Sequence, residues 1–220
     1  MDSLQEIKRQ FRRAMNGIVS NSMREKGVDY KINFGLTLPL IRRIAGKYEP
    51  DAVLAGQLWK ENIRESKMLA VLLYPVHEFR PETMQQWAES IPYREIADLC
   101  CMHLFNRVPY AEEKAVEWIS SENEMLRYTG FQLLARIAGP KAGFSPERLS
   151  VITQTVTGCS EQFSHPVLQA ALNSLKRIMC TDRESAEFIK NAFPLLPDEN
   201  PTRLSRIAEE IADEYAFLYE

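Results

Sequence analysis

Apolar positions along this chain follow a helical period. Leu4, Ile7, Phe11, Ala14 and Ile18 would share one face of a first helix; Leu126, Leu133, Leu134 and Ile137 define another, and Val167, Ala171, Leu172, Leu175 and Ile178 a third. Alternation of period two, the mark of a half-buried strand, is essentially missing. Helix-start signals punctuate the pattern: Thr37 with Pro39, Ser145 with Pro146, and Pro201 with Thr202. The spacing predicts an all-α chain of about eleven or twelve helices, each roughly 10 to 20 residues long, joined by short connectors. No low-complexity linker divides it. At 220 residues and 45% hydrophobic content it can bury a substantial core, and we read residues 1–220 as a single helical domain.

Beneath the period lies a repeat. The stretches LWKENIRESKMLAVLL, QWAESIPYREIADLCCMHL and EWISSENEMLRYTGFQLL each carry a Trp (Trp59, Trp87, Trp118) near the end of one helix, then a connector, then a Glu (Glu65, Glu95, Glu124) opening the next. The glutamates are 30 and 29 residues apart, which is the signature of stacked antiparallel helical hairpins forming a solenoid. The tryptophans read best as core packing at the hairpin elbows. Three residues after each glutamate stand Met68, Asp98 and Arg127. Asp is rarely buried without a partner. Asp98 and Arg127, pointing the same way from neighbouring helices, form either a register-fixing ion pair or a pair lining the concave groove where extended ligands bind.

Composition and chemistry narrow the classes. The net charge is −3, but Met1–Lys47 holds ten Lys and Arg against four Asp and Glu, a net of +6, while the remainder holds seventeen against twenty-six, a net of −9. The basic end, with Arg42, Arg43 and Lys47, is the candidate for phosphate contact. No apolar run suggests a membrane span and the first residues lack a signal-peptide core, so a cytoplasmic location is expected. The four cysteines form neither a C-x-x-C pair nor a disulfide framework and read as small core hydrophobes. His77, His103 and His165 lack metal-ligand spacing and read as capping or core residues; no metal or cofactor is expected. Cys100 and Cys101, with His103 close by, offer little for a thiol mechanism.

Asn33 to Ala70, NFGLTLPLIRRIAGKYEPDAVLAGQLWKENIRESKMLA, resembles the amino-terminal signature of the AlkD-like DNA alkylation repair proteins: an FG turn, a Pro-led helix with a basic pair, then LW and an E-[RK]-x-x-A segment. Phe34, Gly35, Pro39, Ile41, Arg42, Leu58, Trp59, Glu65 and Ala70 fall in order. Weaker similarity runs over most of the chain. The resemblance implies a HEAT-like solenoid that binds duplex DNA, alkylated or distorted, on a basic concave face, as a monomer without metal or redox cofactor. Active relatives are DNA glycosylases that release cationic N3- and N7-alkylated purines, with an Asp that stabilises the oxocarbenium-like sugar, an Arg near the backbone, and two Trp against the sugar.

Carried over by position, the Asp falls on Asp98 and the Arg on Arg127, the pair the repeat had singled out. The two Trp do not carry over: one falls on Arg94, the other near Asn173. Arg94 suits phosphate, and Asn173 shares a helix face with Gln169, Lys176 and Arg177 that suits a DNA backbone. Three functions follow as expectations: a glycosylase using Asp98, placed narrowly ahead of a non-catalytic relative that reads DNA shape, and behind both a protein-binding scaffold, which the acidic remainder keeps open.

Overall fold

A computed structural model of the chain describes residues 3–139, 143–195 and 202–220. Among these residues there are thirteen α-helices and no strand, with one backbone bridge between Ile32 and Ile63. They gather into two compact units, Met1–Val108 and Pro109–Glu220.

The first unit contains α1 (Ser3–Arg13), α2 (Gly17–Glu25), α3 (Leu38–Ala45), α4 (Ala52–Lys60), α5 (Arg64–Leu73), α6 (Pro81–Glu89) and α7 (Arg94–His103). Ile7 and Phe11 bury the inner face of α1 as the period predicts. The period then overruns a boundary. Asn16 caps a new helix: its Oδ1 accepts the Val19 N–H at 3.2 Å, and its own N–H donates to the Phe34 carbonyl at 2.8 Å. Ile18, expected on the same face as Phe11, is therefore 85% exposed. Asp51 caps α4 through the N–H groups of Val53 and Leu54. α5 packs against α3, α4 and α7, and α1 packs against α4.

A buried polar clamp holds this unit together. Glu65 is 0% exposed and accepts the backbone N–H groups of Phe34 at 3.0 Å and Leu36 at 3.2 Å, the two sides of the FG turn. Arg64, 5% exposed, answers that charge: its Nη1 lies 3.2 Å from Glu65 and donates to the Leu36 carbonyl at 2.9 Å. Burial works against the charged guanidinium, yet hydrogen bonds and the charges of Glu95 and Glu65 hold its pKa above the usual arginine value. Gly35 turns the chain at φ 69°, and a Cβ there would meet the Ser20 nitrogen at 2.8 Å and the Asn16 carbonyl oxygen closer still. The motif that carries the resemblance is thus a folding device: Phe34 and Gly35 make a turn that Glu65 grips.

The tryptophans are core residues, as expected. Trp59 and Trp87 stack with centroids 4.0 Å apart and planes 3° from parallel, and Tyr74 and Phe79 meet Trp87 edge-on. Trp59 Nε1 finds the Ser90 hydroxyl at 3.0 Å.

The second unit contains α8 (Ala111–Ile119), α9 (Glu124–Ile137), α10 (Pro146–Cys159), α11 (His165–Met179), α12 (Arg183–Ala192) and α13 (Arg203–Tyr219). Its contacts define two layers, α8–α10–α12 and α9–α11–α13, so each hairpin gives one helix to each layer. α8 and α9 pack closely: a Cβ on Gly130 would lie 2.9 Å from the Ala115 oxygen. Trp118, Phe131 and Phe163 are fully buried, and burial of a large apolar side chain contributes about 1.5–3 kcal/mol. Ser145 caps α10 and Thr202 caps α13, in line with the sequence signals; Pro201 lies outside the described residues.

Candidate nucleic-acid interface

Asp98 lies on α7, half-buried, four residues after exposed Arg94 and four before exposed Met102. It therefore belongs to the outer stripe of its helix, while Ile96, Ala97, Leu99, Cys100 and Cys101 face the core. The helix is fastened at both ends. At its start the Tyr93 hydroxyl accepts the Asp29 N–H at 2.8 Å, and Glu95 takes Arg64 Nε at 2.9 and 3.0 Å on its two oxygens. Glu95 also accepts the Tyr30 hydroxyl at 3.3 Å; burial first, and then this carboxylate, push the Tyr30 pKa far above the usual tyrosine value. At the far end Arg42 Nη2 stands 2.9 Å from His103 Nε2. A guanidinium can only donate, so this imidazole nitrogen accepts.

Arg42 and Arg43 are exposed on the last turn of α3, and exposed Lys47 follows, bonded to Gln10 at 2.8 Å. The structure thus ties one of the basic residues, Arg42, to the helix that carries Asp98. Arg94 opens that helix.

In the second unit, Arg127 is half-buried on α9, its guanidinium carbon 5.1 Å above the Phe163 ring. Its Nε is buried with no hydrogen-bond partner among the described residues. Exposed Glu124 accepts the Ser164 hydroxyl at 2.6 Å. The three repeat glutamates therefore serve different partners: a backbone turn, an arginine and a serine. Counted from helix starts, Arg127 matches Lys67 and Ala97, one residue out of step with the glutamate alignment. Exposure matches Arg127 to Asp98 instead, because Lys67 and Ala97 are buried.

Asn173, Gln169 and Arg177 are exposed on α11. Lys176, on the same face, is engaged by Glu210 at 3.0 Å and Glu214 at 3.6 Å from α13. Two further cations, Arg203 and Arg206, begin α13 beside this face. Sequence reading missed them, although R-x-x-R after a helix-start signal was there to be seen.

The remaining groups fit the sequence reading less evenly. Cys100 and Cys101 are buried, and burial pushes the Cys100 thiol well above its usual value, so it is a poor nucleophile. Cys180 is exposed at the end of α11 rather than in the core. His77 and His165 are exposed, not core residues, and His103 is half-buried. Among the described residues no cluster of His, Cys, Asp and Glu is arranged to hold a metal ion, and no helix is long and apolar enough to cross a membrane.

No curated protein sequence matches the chain. A solved structure described as "a new family of proteins related to the HEAT-like repeat DNA glycosylases with affinity for branched DNA structures" superimposes with a TM-score of 0.73 at 14% identity, covering 95% of this chain and 93% of that one. At that identity the likeness establishes the fold: all-α, of the HEAT-like helical-repeat kind. The family model for the DNA alkylation repair enzyme matches residues 7–206, nearly the whole length, and with the FG-turn clamp and the paired helical layers in view, the chain belongs to the DNA alkylation repair enzyme family.

Proposed function

We propose that this protein binds duplex DNA that is bent or branched, reading its shape through phosphate contacts. The observation that carries this is the grouping of exposed Arg42, Arg43 and Lys47 on and just after α3, with Arg42 tied to the end of α7 and exposed Arg94 at that helix's start. Exposed cations on a rigid layer fix a protein on the backbone without reading sequence. The second unit, taken by itself, also exposes Asn173 and Arg177 on one face of α11. The fold neighbour's affinity for branched DNA supports the choice of substrate.

A second reading is favoured by Asp98. A carboxylate on the outer stripe of a helix fastened at both ends is preorganised to stabilise positive charge on a deoxyribose. An N3- or N7-alkylated purine already carries positive charge, so the C1′–N bond breaks with its electron pair going to the base. Asp98 stabilises the oxocarbenium-like sugar, water adds at C1′, and its proton leaves to solvent. In the second unit, taken by itself, Arg127 has a buried Nε with no hydrogen-bond partner among the described residues, a donor suited to a phosphate. No aromatic residue stands at Arg94 or Asn173 to pack the sugar, which places excision second to binding.

The deciding experiment is binding of a perfect duplex and a three-way junction by anisotropy from about 50 mM salt upward. A salt-sensitive preference for the junction is expected. No affinity for either at the lowest salt would overturn the proposal in favour of a protein-binding scaffold.

A further inference from the structure

Between α11 and α13 lies a cleft of about 340 Å³. That volume is near the lower end of small-molecule sites, about 300–1,000 Å³; it has room for one nucleotide and none for a duplex. Its floor is apolar, made by Leu168, Leu172 and Ile207, and its rim carries His165, Gln169, Arg203 and Arg206. Arg203 is held in place: Nη1 donates to the carbonyls of Glu161 and Phe163, and its backbone N–H donates to the Glu161 carboxylate at 2.9 Å. Phe163 thus carries Arg127 on its ring and Arg203 on its carbonyl, making the cleft a neighbour of Arg127 within the unit.

The charges favour an anion at one end. Glu210 also lines the cleft, but Lys176 sits between it and Glu214 at 3.0 and 3.6 Å; at the start of α13 Arg203 and Arg206 stand against the single Glu161 carboxylate, two cations to one. Of the opening N–H groups of α13, those of Arg203 and Ser205 are already taken by Glu161 and Thr202. An anion would therefore be met chiefly by the arginine side chains. The Gln169 amide offers both a donor and an acceptor to a base edge.

We infer that this cleft receives a single unpaired nucleotide of the bound strand, its phosphate on Arg203 and Arg206 and its base against Leu168, Leu172 and Ile207. This rests on the DNA-binding reading and adds to it a place for a base that has left the stack. Shape recognition would then include a pocket that a continuous duplex cannot fill.

The test uses the full chain with two duplexes, one carrying 2-aminopurine as a single-nucleotide bulge and one carrying it paired. Wild type should bind the bulged duplex about tenfold more tightly, the size of burying one base face against apolar side chains, and should change 2-aminopurine emission there alone. Arg206→Glu should abolish both differences while leaving paired-duplex affinity within about twofold. Gln169→Ala, a milder change at an exposed position, should reduce them without affecting folding. Equal binding of the two duplexes, or a variant that weakens both alike, would overturn the inference while leaving DNA binding intact. Failure to bind either would remove both readings.

Discussion

Arg64 Nε sits 2.9 Å and 3.0 Å from the two carboxylate oxygens of Glu95, a three-centred bond that joins α5 to the first turn of α7. The same guanidinium reaches Glu65 and the Leu36 carbonyl, so the FG turn and the helix bearing Asp98 share one cation. The helix that bears Asp98 owes its fixed start to this network.

Removing that cation should be costly. Arg64→Met leaves Glu65 fully buried and without its counter-charge, and loss of one partner from a buried pair costs about 3–5 kcal/mol. Urea unfolding should show it as a lower midpoint. A change below about 1 kcal/mol would mean that the backbone N–H groups of Phe34 and Leu36 suffice for Glu65.

Gly35→Ala should cost more than about 2 kcal/mol, since it adds a strained positive φ to a steric clash with the backbone of α2. Gly27, also at positive φ but with open space around it, serves as the comparison. Gly27→Ala should lose only the conformational part, about 1 kcal/mol. Equal melting temperatures for the two variants would contradict this.

Arg43→Glu with Lys47→Glu should weaken duplex binding for every sequence and lower the slope of log K against log salt by about 0.9 for each lost phosphate contact. Arg42 is a less clean choice because it also holds His103. Wild-type affinity and slope in the double variant would clear both residues of phosphate contact.

Asp98→Asn should leave junction binding within about twofold and, if excision occurs, cut single-turnover release of 7-methylguanine about a hundredfold, the loss of about 3 kcal/mol of preorganised charge. Trp placed at Arg94 and Asn173 should raise release. Release insensitive to Asp98→Asn would end the catalytic assignment.

Asp182 caps α12, accepting the Ser185 N–H at 2.7 Å. Desolvation pushes its carboxyl up, but hydrogen bonds from Ser185 and Thr181 outweigh it and hold the pKa below the usual 3.8. A depressed carboxyl stabilises the fold above its unfolded value and loses that contribution as pH falls through the folded one. Asp182→Ala should therefore cost about 1 kcal/mol at neutral pH, with the difference from wild type shrinking only below the ordinary aspartate range.

Local physics explains which parts of this were legible in advance. Asn123, Ser145 and Thr202 cap helices through neighbours three residues away or fewer, so sequence carries them. The break before α2 depends instead on Asn16 meeting the Phe34 carbonyl, a contact that no local window contains. Phe34, Gly35 and Glu65 were readable as a family signature, but their work as a clamp required the fold. Asp98 was singled out by a repeat that the helix starts match only to within one residue. The cleft of Arg203 and Arg206 exists because α13 packs on α11, and Lys176 left the set of free cations for the same reason.

The burial of all three indoles has a spectroscopic consequence. Trp59 and Trp87, stacked face to face in the first unit, should produce an exciton couplet in circular dichroism, whereas Trp118, alone in the second, should dominate as an isolated buried emitter. One chain thus carries separate optical reporters for the melting of its two halves. None of them stands beside the exposed cations of α3 or α11. A tryptophan added at Arg94 or Asn173 would be the first to respond to ligand, against a background that stays dark to it.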